Sequence, residues 1–239
     1  MEEKLNGIVI SSINYGENDK ILNVFTLEEG VVCARIKGVK KAGAKLKFAS
    51  EPFCFAEFMF STSLNKRVVI GASLIDSFYQ IREDIVKFYA GTTVLEFIKK
   101  FSKENIVSPE LFLLAIESLK EITYKDGNET VYHLIRFLLE GLRLVGYGLN
   151  LNVCLGCEKP LNGRIFFDSF SGGFFCEKCK VQDAREIKFS TFEALKEAQN
   201  AQMVYKEEGV FALKLLEFYI DNKTEEKINS LTEIIGIIK

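Results

Sequence analysis

Tryptophan is absent from this chain, histidine occurs once, and proline three times. With His133 alone, neither a histidine-based catalytic triad nor a multi-histidine metal site has the residues it needs. No stretch reaches the roughly 18 consecutive apolar residues required to span a bilayer. The opening "MEEKLNGIVI" runs straight into a strand-like segment and lacks the plan of a secretory signal. The expectation from these gaps is a cytoplasmic protein away from membranes. A phosphate-binding Walker loop is also missing, which argues against an ATPase. "VGYGLN" (145–150) has no strand before it, so it reads as a helix stop and not as a dinucleotide fingerprint. Paired acids such as Glu28 and Glu29 belong to a turn, and no convergent carboxylates offer a Mg²⁺ site for a nuclease. The expectation is a protein that is not an enzyme.

What is present is an ordinary globular balance, 48% apolar and 27% charged residues over 239 positions, enough to bury a sizeable core. The aromatic content is 21 Phe and 8 Tyr. The net charge of −2 conceals a local excess: "RIKGVKKAGAKLK" (35–47) carries Arg35, Lys37, Lys40, Lys41, Lys45 and Lys47 and no acid. Such asymmetry says more about partners than the total charge does.

Hydrophobic period divides the chain. "NGIVISSINYG", "KILNVFT", "VVCARIKG", "PFCFAEFMFS" and "RVVIGASLIDSF" read as five short strands with Gly-marked turns. In the fourth, Phe53, Phe55 and Met59 share one face while Cys54, Ala56, Phe58 and Phe60 share the other. A segment apolar on both faces suits a closed barrel with something packed outside it. Near Tyr79 the period changes from two to 3.6. Helices are predicted from Ile85, then over "SPELFLLAIESLKEITY" with Ser108 as N-cap and Pro109 at the first position. "TVYHLIRFLLEGLRLVGYG" is apolar enough for the centre of a bundle, and three further helical segments follow. The fold class predicted is α+β: a five-stranded barrel over 1–79, then a helical domain over 80–239 with a cysteine-rich insert at about 150–186.

That insert holds Cys154, Cys157, Cys176 and Cys179 as C-x2-C-x18-C-x2-C. Each CxxC turn points two thiolates at one centre, and two turns complete a tetrahedron of sulfurs, the donor set of structural zinc. Four protein ligands leave no open position for activating water. Another metal or a disulfide remains open as an alternative, although a reducing compartment disfavours the latter. "RIFFDSFSGGFFC" between the pairs reads as a hairpin turning near Gly172 and Gly173. Cys33 and Cys54 lie within strands and are expected to be buried small hydrophobes; His133 is expected to be a satisfied core histidine.

The cationic run admits two readings. It is either a solvated surface loop or a positive track for phosphates beside a barrel, the usual equipment for single-stranded nucleic acid. Phe25 and the Phe53–Phe60 group read as core and not as stacking platforms.

"GIVISSINYGENDKILNVFTLEEGVVCARIKGVKK" (7–41), followed by "EPFCFAEFMF" and a helical segment with a CxxC…CxxC insert, resembles the bacterial recombination mediator family RecO. The resemblance spans nearly the whole chain in the same order. It implies an OB-fold joined to a helical, zinc-containing domain in a bacterial cytoplasmic, nucleoid-associated protein. It further implies binding to single- and double-stranded DNA, annealing of complementary strands, and work with RecR in loading RecA onto strands coated by single-strand binding protein. On that basis Arg35, Lys37, Lys40, Lys41, Lys45 and Lys47 are the expected DNA contacts and the four cysteines the expected Zn²⁺ ligands. Docking of the acidic, apolar tail of single-strand binding protein implies a groove with cations on the helical domain. The contrasting reading is a zinc-stabilised protein-interaction scaffold without a direct DNA-binding role.

Overall fold

A computed structural model describes residues 2–63, 66–104, 106–202 and 206–238. Lys239, the end of the last expected helix, lies outside them. Five strands form β1 (Glu2–Tyr15), β2 (Asp19–Thr26), β3 (Gly30–Ile36), β4 (Phe55–Ser63) and β5 (Lys66–Asp76). They close into a barrel in the order β1-β2-β3-β5-β4, an OB-like arrangement. β1 is long enough to serve two partners. Its first half pairs with β4 and its second with β2, and a register shift between Val9 and Ser11 bends it from one to the other. Alternation sends Leu22, Val24, Val32, Ala34, Ile36, Ala56, Phe58 and Phe60 inward, where they share one core. Closure comes from a short parallel contact between β3 and β5, with Arg35 opposite Val68 and Ile36 opposite Val69.

Two sequence expectations shift within this barrel. β4 starts at Phe55 and not at Pro52, because proline cannot donate to a ladder and Phe53 takes a positive φ of 72°. Cys54 is buried, as its position predicts, but Cys33 is exposed. Val32 and Ala34 occupy the inward positions on either side of it, so the two-residue period turns Cys33 outward.

The chain forms two compact units, Met1–Gln80 with Leu95–Ile116, and Ile81–Val94 with Glu117–Lys239. In the first, α1 (Ile85–Phe101) and α2 (Pro109–Tyr124) contribute their residues between 95 and 116. Phe112 of α2 lies 5.6 Å from Phe25 and 6.1 Å from Phe55 between ring centroids. This contact explains the two apolar faces of the fourth strand.

In the second unit α3 (Thr130–Leu144) buries 11 of its 15 residues and is central, packed against α4 (Phe189–Gln199) and α5 (Lys206–Lys223). Gly146, at φ 88°, follows its end. His133 on α3 is buried, with Nδ1 3.0 Å from Glu121 and Nε2 3.3 Å from Glu129. A three-stranded sheet of β6 (Ile165–Asp168), β7 (Gly173–Cys176) and β8 (Arg185–Ile187) runs in the order β7-β6-β8, and α6 (Asn229–Ile237) closes the described chain.

Three consecutive residues of the first hairpin hold the long excursion between β3 and β4. The Asn18 carbonyl accepts from the Lys40 N–H at 3.0 Å, and the Asp19 carboxylate accepts from the Gly38 N–H at 2.7 Å. Lys20 Nζ lies 2.9 Å from Glu51 Oε1 at the far end of the excursion. Asp19 also accepts from Arg35 Nε at 2.7 Å. The Gly38 N–H, and next the Arg35 guanidinium, hold the Asp19 carboxyl below the usual aspartate value. A group so lowered keeps its contribution above the ordinary carboxylate range and loses it only as pH falls through the folded value. The loop is therefore pinned at neutral pH. Replacing Asp19→Ala should speed tryptic cleavage within residues 40–47 while the thermal midpoint stays near that of the parent. Unchanged cleavage would show that the staple does not order the loop.

Candidate nucleic-acid interface and metal centre

Between the two ends of the staple the chain advances by three-residue turns. The N–H groups of Lys41, Ala44 and Lys47 donate to the carbonyls of Gly38, Lys41 and Ala44 in succession, each at 3.2 Å. Val39 and Ala49 are buried, and Leu46 and Phe48 pack partly against the barrel core. With the apolar anchors turned in, Lys37, Lys40, Lys41, Lys45 and Lys47 are all exposed. Among the described residues none of these five lysines forms an ion pair. Arg35 differs from them: it is half-buried on β3, bonded to Asp19, and its guanidinium lies 4.9 Å from the Tyr15 ring centroid. The five lysines thus share one loop, and Arg35 is held beside it by Asp19.

A cleft of roughly 800 Å³ lies next to the loop, inside the first unit. Tyr15, Ile21, Ala34, Val68 and Ile70 make its apolar wall, and Arg35, Lys37, Lys66 and Arg67 its cationic rim. Arg67 is engaged with Glu3 at 3.2 Å and Glu29 at 2.5 Å. Ser61, Ser63, Cys33 and Glu104 complete the lining, and partial desolvation of the outward-facing Cys33, then Glu104, raise its thiol above the ordinary value. Tyr15, Lys66 and Ile70 carry no motif in the sequence. They come from the end of β1 and from β5, which meet at this cleft because β3 and β5 close the barrel.

In the second unit the sulfur atoms of Cys154, Cys157, Cys176 and Cys179 all lie within 4.8 Å of one another, and none is in a disulfide. Zinc–sulfur bonds of about 2.3 Å in a tetrahedron place sulfurs roughly 3.8 Å apart. Cys157 and Cys176 sulfurs, 4.0 Å apart, fit that cage. Gly156 is part of the fit, since a Cβ there would stand 2.6 Å from the Cβ of Cys179. Burial alone would raise the Cys154 thiol, but the N–H groups of Cys176, Cys157 and Gly156 outweigh it and bring it down to about 6. Cys179 is pushed up to about 12, chiefly by the sulfurs of Cys176 and Cys157. Four thiols this close do not ionise together without a cation among them. A tetrahedral four-sulfur set suits zinc or iron and offers a metal no vacant coordination position. Aromatic contacts fasten the knuckle to helices of its own unit: Phe174 lies 5.0 Å from Phe192, and Phe167 5.8 Å from Tyr219.

A smaller groove of about 310 Å³ is lined in the same unit by Phe211, Leu215 and Phe218 with Arg185, Lys188 and Lys214. Arg185 lies 3.9 Å from the Phe218 ring centroid, and Lys188 4.4 Å from that of Phe211. Glu186, the acid on its wall among the described residues, is paired with Arg164 at 2.6 Å.

Fold and site together define an OB-like barrel protein with an appended helical, four-cysteine unit. Residues 1–78 match the family Recombination protein O N terminal, and residues 82–232 match Recombination protein O C terminal. The chain belongs to the Recombination protein O family, and its role is in DNA repair. It is similar to the DNA repair protein RecO of Acetivibrio thermocellus, 26% identical over 91% of this chain and 86% of the relative. It is 27% identical to that of Caldicellulosiruptor saccharolyticus over 80% of this chain and 78% of the relative. The Bacillus subtilis protein of the same name is 28% identical over 78% of this chain and 72% of the relative. No helix among the described residues is long and apolar enough to cross a membrane.

The knuckle predicts its own test. Purified protein should carry about one metal ion per chain, and Cys154→Ser should lose it together with the stability of the second unit. A fully loaded, equally stable serine variant would remove Cys154 from the ligand set.

Proposed function

We propose that this protein is a recombination mediator that binds single- and double-stranded DNA, anneals complementary strands and, with RecR, helps RecA load onto strands coated by single-strand binding protein. The observation that carries this reading is the lysine loop: five exposed cations (Lys37, Lys40, Lys41, Lys45, Lys47), without an ion pair among the described residues, held on a closed OB-like barrel. Cations set this close offset the repulsion between two phosphate backbones, while base pairing supplies the free energy of annealing. No nucleotide hydrolysis and no covalent chemistry are required. Residues 1–79 carry the DNA contacts, and 80–239 carry the metal and a partner surface. The metal is Zn²⁺, in a structural role, with Cys154, Cys157, Cys176 and Cys179 as its ligands.

Phosphate-dominated binding releases counterions, so for each phosphate contact affinity falls by roughly 0.7 to 0.9 logarithmic units per tenfold rise in salt. Changing Lys37, Lys40 and Lys41 together to Glu should abolish single-strand binding and annealing, as measured by anisotropy of a labelled oligonucleotide and by strand-pairing rate. Unchanged binding by the folded triple variant would sink the assignment.

The cationic, aromatic groove of Arg185, Lys188, Lys214, Phe211 and Phe218 has the chemistry to take the acidic, apolar tail of single-strand binding protein. Lys188→Glu with Lys214→Glu should weaken binding of a synthetic tail peptide at least about tenfold by calorimetry, since reversed charge now repels the acids. Equal affinity would put the tail elsewhere.

A further inference from the structure

We propose that the cleft beside Tyr15 takes unpaired bases, so that a single strand engages both cleft and lysine loop whereas a duplex engages the loop alone. This deepens the DNA-binding reading above and rests on it.

Three observations carry the inference. First, the wall is apolar where the loop is not. Ile21, Val68 and Ile70 line it with Tyr15, and Tyr15 and Ile70 remain 50% and 43% exposed. A duplex hides its base faces in the stack and offers a protein phosphates, sugars and base edges. An apolar wall gains nothing from it. Unstacked bases have apolar faces to bury, and aromatic side chains are their usual platform.

Second, Tyr15 is pre-organised. Arg35 stacks on it at 4.9 Å and is itself fixed by Asp19, which is fixed in turn by the Gly38 N–H. A ring held this way loses little freedom when a base stacks on it. The Arg35 charge is answered by Asp19 and that of Arg67 by Glu3 and Glu29, so both guanidiniums are positioning groups here.

Third, the cations left over are continuous with the loop. Among the described residues Lys37 and Lys66 form no ion pair, both line the cleft, and Lys37 begins the run that continues through Lys40 and Lys41. A strand with its bases in the cleft therefore has phosphates against Lys37 and Lys66 and can follow the cations onward. An acidic peptide would satisfy the rim but would not account for that continuity. One consequence follows for annealing: bases that pair must leave the cleft, and the product is held by the loop alone.

The test compares wild type, Tyr15→Ala, Tyr15→Phe and Ile70→Ala with three labelled probes: a single strand, an abasic strand of equal length, and a duplex. Wild type should bind the single strand more tightly than the abasic one. Tyr15→Ala should lose roughly tenfold on the single strand, with little change on abasic strand or duplex. Its salt dependence should be unchanged, because no charge is removed. Ile70→Ala should lose affinity with the same selectivity, and Tyr15→Phe should retain binding. Equal losses on all three probes, or none on the single strand, would overturn the cleft assignment while leaving the loop reading in place. Failure of wild type to bind any probe would instead overturn the DNA-binding reading itself. Base-independent binding with competition from an acidic, apolar peptide, lost in Tyr15→Ala, would assign the cleft to a protein ligand and overturn the proposal.

Discussion

Two residue pairs close the barrel, Arg35 with Val68 and Ile36 with Val69, and the cleft beside the lysine loop depends on that seam. A few parallel hydrogen bonds contribute only about 0.5–1.5 kcal/mol each. The seam holds because Ile36 and Val69 are buried in the common core with Phe58 and Phe60, so packing maintains what the ladder alone would not. At the seam the end of β3 meets the start of β5, near the end of β1. Tyr15, Arg35 and Lys66 become neighbours there. Immediately beyond it the chain leaves the sheet through Lys37 into the cationic loop.

The charge pattern follows from how the acids are placed. The chain has more acidic than basic residues, yet among the described residues the lysines of the loop form no ion pair with a carboxylate. Asp19 is taken by Arg35 and Gly38, and Glu51 by Lys20, so the nearest acids hold the loop in place and do not neutralise its outer face. A surface that is negative on average can thus present a concentrated positive field at one point, which is what steering of a polyanion requires.

The four-thiol centre sits where β7 and two tight turns meet, so a metal held there would add cohesion to a small sheet whose own ladders are short. Phe174 and Phe167 then transmit that order to Phe192 and Tyr219 on the neighbouring helices. With every coordination position supplied by cysteine, a bound metal has structural leverage and no place for a substrate.

Much was legible in the sequence because it is local. Period two and period 3.6 separate strands from helices, CxxC spacing announces the thiol cage, and the cationic run is visible by inspection. Within residues 7–41, Asn18, Asp19 and Lys20 have a task that appears only on folding: they are the staple of a loop some 20 to 30 residues away. Cys33 was misplaced by its strand because inside and outside differ by a single step of alternation, and only the barrel's curvature fixes which step faces in. Tyr15, Lys66 and Ile70 had no signal, since nothing in their own neighbourhoods distinguishes them from ordinary strand residues. The sequence by itself determined the elements, the thiol ligand set and the location of the charge. Tertiary structure decided which side chains share a surface, because the contact that closes the barrel joins residues more than 30 positions apart.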